Sequence, residues 1–366
     1  MRLLKWCKNN IMLTVSIAAA GITAFFVPPD KAYLGYYDFK TLSCLFCVLA
    51  VVGAMKNVNI FAILAGKLTH TLASVRSVCT ALVIITMVCS MFLTNDTALL
   101  TLLPLSWLVL SSAGQERHIP LLFTLQNCAA NLCGMIMPFG NPQNLYLFSY
   151  YNIETSEFLQ IMLPPFLLST ALIMLGCLLF PRDRLCVTDT ASEAAPPRGT
   201  VFYVLLFALA VAMVLRVVPY TVGLAVIIAA LMILDRRAVL GADWGLIGTF
   251  AAFFTFSGNL ARLESVHALF EGLLNHGVMM VSALTSQVIS NVPAAILLSR
   301  FTDNYRELLL GVNIGGAGTL IASLASLITF REYSKCAQNK TGKFLALFSA
   351  VNFALLIVLL AALQSF

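Results

Sequence analysis

The sequence predicts an all-α polytopic membrane protein made of two inverted repeats, each with a re-entrant hairpin and a broken transmembrane helix. Three observations predict it. The 366 residues are 60% hydrophobic and only 10% charged, with a mean hydropathy of +0.91, whereas a soluble domain carries about 25% charged residues. Apolar runs long enough to enter a bilayer follow one another along the whole chain. Two of these runs stop at a polar cluster and resume, at matching places in the two halves. The same composition excludes a soluble enzyme, a disordered or collagen-like chain, a coiled coil and a nucleic-acid-binding domain. The net charge of +6 reads instead as Lys and Arg in cytoplasmic loops.

Apolar spans are expected at 11–27, 40–55, 75–93, 97–112, 120–150, 157–180, 201–218, 219–234, 244–258, 277–289, 293–301, 307–330 and 342–364. The first follows Arg2, Lys5 and Lys8, as a signal peptide would. It is long for one, however, and runs into Val27-Pro28-Pro29 with no small-x-small site, so it reads as an uncleaved span. Pro181 to Thr200 is the only long polar stretch, with Arg182, Asp183, Arg184, Glu193, Pro196, Pro197 and Arg198. It divides a first unit, 1–180, from a second, 201–366, as a cytoplasmic linker at 181–200.

The two units repeat one another. Asp38-Phe39 opens a span that reaches Gly53, and Asp243-Trp244 opens one that reaches Gly258. More polar helical stretches follow, Lys56 to His70 and Asn259 to Asn275. Each half then meets a polar knot, Thr94-Asn95-Asp96-Thr97 and Ser290-Asn291-Val292-Pro293. A helix interrupted by Gly, Pro and Asn comes next. Aligning the interruptions puts Asn131 on Asn313, Gly134 on Gly316 and Asn144 on Ser326.

Polar backbone at membrane depth needs protein or a water-filled cavity around it, so each knot is expected at the tip of a hairpin that enters and leaves on one side. Nine crossings remain, an odd offset separates the repeats, and the repeats are therefore inverted. Charge supports the same arrangement. With the N-terminus inside and the C-terminus outside, Arg2, Lys5, Lys8, Lys56, Lys67, Arg76, Arg117, Arg182, Arg184, Arg198, Arg236, Arg237, Arg331, Lys335, Lys340 and Lys343 lie inside. Lys31, Lys40, Arg216, Arg262, Arg300 and Arg306 lie outside, 6 against 16, as the positive-inside rule requires of a multi-pass protein of the cytoplasmic (inner) membrane.

Inverted repeats with paired hairpins and broken helices are the pattern of a secondary transporter with its site at the bilayer midplane. A broken helix offers backbone N–H groups and carbonyls to an ion without using a charged side chain. Gly134, Gly140, Gly315, Gly316 and Gly318 permit the unwinding, and Pro138 and Pro142 enforce it. The expected substrate- and ion-binding residues are Thr94, Asn95, Asp96, Thr97, Asn131, Gly140, Asn141, Asn144, Ser290, Asn291, Asn313, Gly316, Thr319 and Ser323. Asn127, one turn before Asn131, is a further candidate for the cavity wall. Asp96 is the sharpest of them, because an acid at membrane depth is costly and marks function by default. Desolvation favours its neutral form and a bound cation its charged form, which is what coupling to H⁺ or Na⁺ requires. Asn95, Asp96 and Asn131 are the expected ligands of a sodium ion. The bland alternative is that Thr94-Asn95-Asp96 caps the following helix.

No Lys or Arg falls in either knot or either broken helix, which leans the reading away from multivalent anions. Cys44, Cys47, Cys79, Cys89, Cys128, Cys133 and Cys177 lie in apolar runs and read as small hydrophobes, and Cys44-x-x-Cys47 has no second pair to complete a metal site. Histidines 70, 118, 267 and 276 fall in loops or interfacial stretches, so no catalytic cluster, no enzyme and no cofactor is expected.

Phe92-Leu-Thr-Asn-Asp-Thr-Ala-Leu-Leu100, Gly140-Asn-Pro-Gln-Asn144 and the run from Gly311 to Ser326 resemble the ion transporter superfamily, most closely its arsenite/antimonite permease and sodium/proton antiporter group. The resemblance spans about 38–364. It implies a scaffold, a mobile transport domain with two hairpins, and commonly a homodimer working by an elevator-like mechanism. The related divalent anion–sodium symporters carry Ser-Asn-Thr at each tip. Here the tips read Thr94-Asn95-Asp96 and Ser290-Asn291-Val292, departing at the third position, and Asp96 matches the acidic position of the arsenite and sodium/proton branches.

The function expected is ion-coupled secondary transport of a small inorganic oxyanion or metalloid hydroxide such as arsenite. The alternatives are a sodium/proton antiporter and a sodium-coupled citrate- or dicarboxylate-like carrier. Partners are the solute, the bilayer and a second copy of the chain, with no nucleic acid.

Overall fold

The computed structural model describes residues 11–57, 72, 74–184, 200–336 and 341–364. Most of the polar stretch after Lys56, most of the linker at 181–200 and the basic residues before Ile11 lie outside them. The described chain is helical, and its β pairing is one isolated bridge, Ser74 to Arg184. Among the described residues, five helices are long and apolar enough to cross a membrane, including Val75–Phe92, Thr155–Cys177 and Thr341–Leu363. Five shorter apolar helices accompany them.

In the first half, α1 (Ile11–Phe26) and α2 (Phe39–Asn57) lead to the antiparallel pair α3 (Val75–Phe92) and α4 (Asn95–Ser112). The interrupted helix follows as α5 (Ile119–Cys133), a short 3₁₀ turn and α6 (Pro142–Tyr150), and α7 (Thr155–Cys177) completes the half. In the second half, α8 (Thr200–Val214), α9 (Tyr220–Leu234) and the short α10 (Arg236–Leu240) precede α11 (Trp244–Ala261) and α12 (Glu264–Leu274). The pair α13 (Val278–Ile289) and α14 (Asn291–Leu298) comes next, then the interrupted α15 (Tyr305–Ile314) and α16 (Leu324–Cys336), and finally α17 (Thr341–Leu363).

The aligned residues fall at equivalent places. Asn131 and Asn313 sit in the last turns of α5 and α15, and Asn144 and Ser326 in the first turns of α6 and α16. The packing matches too. α3 lies on α5 as α13 lies on α15, while α4 packs along α16 and α14 along α6, each hairpin arm thus reaching the other half's interrupted helix.

The helix α7 gives the assembly two ends. At its finish, the near end, Val75 N–H donates to Asp183 O at 2.9 Å, Arg76 Nε to Phe180 O at 2.7 Å, and Arg117 pairs with Asp183 at 3.0 Å. The first hairpin therefore both starts and finishes there. At the start of α7, the far end, Tyr305 Oη donates to Glu157 at 2.7 Å, Met279 N–H to Glu307 at 3.1 Å, and Tyr151 Oη to Thr302 O at 2.6 Å. The second hairpin opens there. Its arms of 12 and 8 residues are about 18 and 12 Å long, well short of a hydrocarbon core of about 30 Å.

Burial is greatest in the middle. Every residue from Leu122 to Cys133 of α5 is buried, the mark of a helix surrounded by protein. The seven cysteines of the apolar runs are buried and unbonded to one another. Large apolar side chains face outward on α1 (Val15, Ile17, Ile22), α7 (Leu163, Leu167, Leu175) and α9 (Val222, Val226, Ile233), as lipid-facing surfaces do.

α1 runs parallel to α11. Leu13 lies beside Gly248, and Asn259 Nδ2 donates to Thr23 Oγ1 at 3.2 Å. The pair ends at the far end, where Arg262 bonds Asp30 at 2.8 Å and Tyr36 covers Gly258 so closely that a Cβ there would lie 2.4 Å from its ring. Two more arginines tie elements together at that end. Arg300 Nη2 donates to Tyr36 O at 2.8 Å and lies over the Tyr150 ring, and Arg216 Nη2 donates to Phe148 O at 2.7 Å and lies over the Phe148 ring.

Candidate functional site

The two hairpin tips are built differently. Leu93 and Thr94, both extended, link α3 to α4, whereas Ser290 alone links α13 to α14 with φ 78° and ψ 153°. That region suits glycine, and a side chain held there stores about 1–3 kcal/mol of strain. Asn291 N–H is secured by Ala322 O at 2.9 Å, across from the second interruption.

Both interruptions press their glycines against a hairpin of their own half. A Cβ on Gly140 would lie 2.2 Å from Gly134 O and 3.0 Å from Ser90 O of α3, and one on Gly315 2.8 Å from Ala283 Cα of α13. Gly318 has φ +121° and faces the Gln287 amide, which donates to Gly315 O at 2.7 Å and Ala317 O at 3.0 Å. The carbonyls freed by unwinding are thus satisfied by a side chain rather than by water.

Between tips and interruptions lies a buried amide layer. Asn95 Nδ2 donates to Asn131 Oδ1 at 3.1 Å, and Asn131 Nδ2 to Ser323 Oγ at 2.9 Å. Ser323 and Ser326 share a hydroxyl bond of 3.0 Å, and Asn127 bonds Ser326, Thr329 and Asn352. On the other side Asn141 Nδ2 donates to Asn131 O at 3.2 Å, Gln143 Nε2 to Asn313 Oδ1 at 3.1 Å, and Asn313 to Asn144. Residues from both interruptions and from the first tip therefore belong to one network.

On the near side of this layer opens a cavity of about 420 Å³. Asn95 and Asp96 of one tip and Ser290 and Asn291 of the other line it, together with Gln143. Met12 and Leu13 at the start of α1 and Asp243, Gly245, Leu246 and Thr249 at the start of α11 form the facing wall, and Leu324, Leu327, Ile328 and Arg331 form a stripe along α16. Towards the far end the cavity stops. Beyond Thr249, α11 continues with Phe250 and Phe254, both buried and packed on Tyr146 of α6.

Of the residues expected from the sequence, Asn95, Asp96, Ser290 and Asn291 line the cavity. Asn131, Asn141, Asn144, Asn313 and Ser323 form the layer behind it. Thr94 and Thr97 share a hydroxyl bond of 2.9 Å, Thr319 bonds Gln287, and Gly140 and Gly316 are packed inside the interruptions. Asp96 is not a helix cap. Asn95 Oδ1 accepts from Asp96 N–H at 2.9 Å, while Asp96 Oδ1 is buried with no hydrogen-bond partner. Asn141 Oδ1 and Gln143 Oε1 are likewise buried and unpartnered. An orphan buried acceptor costs about 1–3 kcal/mol, so this edge of the layer favours a proton or a cation.

The expectation of a site without cationic side chains is corrected here. α16 continues past Phe330 to Cys336, which carries Arg331 onto the cavity stripe, one and two turns beyond Ile328 and Leu324. Asp243, Thr249 and Gln143 also escaped the sequence reading. Gln143 stands inside the quoted Gly140–Asn144 motif, and Arg331 follows Leu324 at the seven-residue spacing of a helix face, whereas nothing local marks Asp243 or Thr249.

Comparison with known proteins points the same way. Residues 2–305 match the family model CitMHS, described as citrate transporter. An uncharacterized transporter of Methanocaldococcus jannaschii is 31% identical over 330 residues, 90% of each chain. The inner membrane protein YbiR of Escherichia coli is 28% identical over 315 residues, 84% of each chain.

Proposed function

The chain belongs to the citrate transporter family CitMHS, and from that premise we propose that it is an ion-coupled secondary transporter for a small organic carboxylate. The observation that carries the reading is that residues of both hairpin tips line one cavity, among them Asp96, whose Oδ1 is buried without a partner. A cavity of about 420 Å³ is within the 300–1,000 Å³ of small-molecule sites and generous for a bare oxyanion. The positive ends of the helix dipoles at Asn95 and Asn291 favour an anion there, and Asp96 takes up the coupling ion, H⁺ or Na⁺, beside it. Protonating Asp96, or binding sodium at Asn95, Asp96 and Asn131, removes the repulsion between its carboxylate and the substrate, so ion and anion bind together.

The halves act as inverted repeats. The hairpins and interrupted helices form a transport domain that moves in an elevator-like manner against a scaffold containing α1, α2, α8, α9 and α11, in a homodimer. The near end is cytoplasmic, with the N-terminus inside. A second reading, transport of an inorganic oxyanion or metalloid hydroxide such as arsenite, is favoured by the acid at position 96.

Proteoliposomes carrying a pH-sensitive dye and an imposed proton gradient distinguish these. Citrate is expected to draw protons with it, and Asp96→Asn to abolish that response. A response to arsenite alone would replace the carboxylate reading with the second one. Collapse of the gradient by sodium alone would make the protein a sodium/proton antiporter.

A further inference from the structure

We infer that Arg331 is the residue that selects substrates bearing a second acidic group, an inference that rests on the carboxylate reading above. Three observations lead to it. Among the described residues, Arg331 is the one Lys or Arg side chain lining the cavity, and the other ionisable side chains there are Asp96 and Asp243. Its guanidinium has no hydrogen-bond or ion-pair partner among the described residues. Its neighbour Glu332 is turned to another face of α16 and is paired with Lys335, and Asp243 spends one oxygen on Leu246 N–H at 2.9 Å, with no ion pair to Arg331. Two acids therefore face the cavity with a cation that neither neutralises.

Position makes the cation useful. Leu324, at the level of the tips, and Arg331 are seven residues apart on one stripe, about 10 Å along the axis. Side chains on a helix lean towards its N-terminus, which for the exposed Arg331 side chain on the cavity wall is the direction of Leu327, Ile328 and the tips. A carboxylate held at the helix N-termini of the tips has its remaining acidic groups in this interval, and a guanidinium fork binds a carboxylate through two parallel hydrogen bonds. A substrate with one acidic group has nothing to offer it. Arg331 lies beyond the residues matched by the family model, which end at 305, so the assignment concerns this chain's own geometry.

The test is uptake of labelled citrate and succinate into proteoliposomes, with inhibition by pyruvate, for wild type, Arg331→Gln and Arg331→Lys. Arg331→Gln is expected to raise KM for citrate and succinate about 10- to 100-fold, with the maximal rate held within about twofold and pyruvate inhibition unchanged. Arg331→Lys, which keeps the charge and loses the fork, is expected to recover part of the affinity. An unchanged KM, a fall in rate alone, or equal weakening of citrate, succinate and pyruvate would each overturn the assignment. A wild-type protein that carries no carboxylate would instead overturn the functional reading and this assignment with it.

Discussion

Replacing Asp96 by Asn removes one negative charge while keeping the side chain's shape, at a residue whose Oδ1 has no partner to lose. Two consequences of opposite sign follow. Leaving a charged oxygen buried and unsatisfied costs the native state about 1–3 kcal/mol or more, and a neutral amide in its place lowers that cost. The variant is therefore expected to melt a few degrees above the wild type. Transport responds in the other direction. A gradient of one pH unit is worth about 1.4 kcal/mol per proton, enough for about tenfold accumulation of a solute that moves with one proton. Asp96→Asn is expected to bring that ratio to about one, while exchange of labelled for unlabelled substrate at equal pH persists. Concentrative uptake and counterflow in the same vesicle preparation separate the two effects. Undiminished proton-driven accumulation in the variant would refute Asp96 as the coupling group, and a variant less stable than the wild type would show that its carboxylate has a stabilising partner.

Gly140→Ala is expected to be far more damaging than a methyl group usually is. Its Cβ would lie 2.2 Å from one backbone oxygen and 3.0 Å from another, neither of which can move without undoing the interruption, so the cost exceeds the usual overpacking figure of about 1–3 kcal/mol; the fraction monodisperse after extraction reads it. Ser290→Gly should relieve about 1–3 kcal/mol of backbone strain and raise the melting temperature, and a lowered one would show that the hydroxyl, not the backbone, governs that tip. At the far end, the hydrogen bond from Arg262 holds the Asp30 carboxyl below its ordinary range. The pair is complete at neutral pH and is lost as pH falls through that lowered value. Amide exchange at Lys31–Tyr36 should therefore quicken only in strong acid, and Arg262→Gln should make it quick already at pH 7.

Much of the arrangement is legible in the sequence because similar polar and Gly-rich patterns occur in both halves. Asn131 and Asn313 or Asn144 and Ser326 are informative as pairs, and their equivalent positions at helix ends and helix starts follow from the same Gly- and Pro-driven interruptions. The knots at 94–97 and 290–293 announce themselves by polarity in apolar surroundings. What the sequence hides is the opposite wall. Met12, Gly245 and Thr249 belong to ordinary apolar helices, and only tertiary packing of α1 and α11 beside the tips brings them to the cavity. Arg331 was hidden for a different reason. The hydropathy of α16 falls after Phe330, so the span seems to end where the helix in fact continues. The internal bonding of the amide layer is likewise invisible, since Asn95 meets Asn131 and Asn131 meets Ser323 only after three separate segments have folded together.

The arginines of the far end carry a consequence for the empty carrier. Arg300 and Arg216 each donate to a main-chain carbonyl of another segment, Tyr36 and Phe148, and a hydrogen bond involving an ionised donor is worth about 1.5–3 kcal/mol. Both bonds must break before those segments can separate at that face. Their acceptors are neutral peptide oxygens, so neither acid nor a change in carboxylate charge loosens them. On the transporter reading proposed above, the empty protein is therefore expected to favour the state with its mouth towards the near face. On that same reading, opening the far face is expected to draw its free energy from what binds in the cavity, so that the unloaded return towards the near face is the easy half of the cycle.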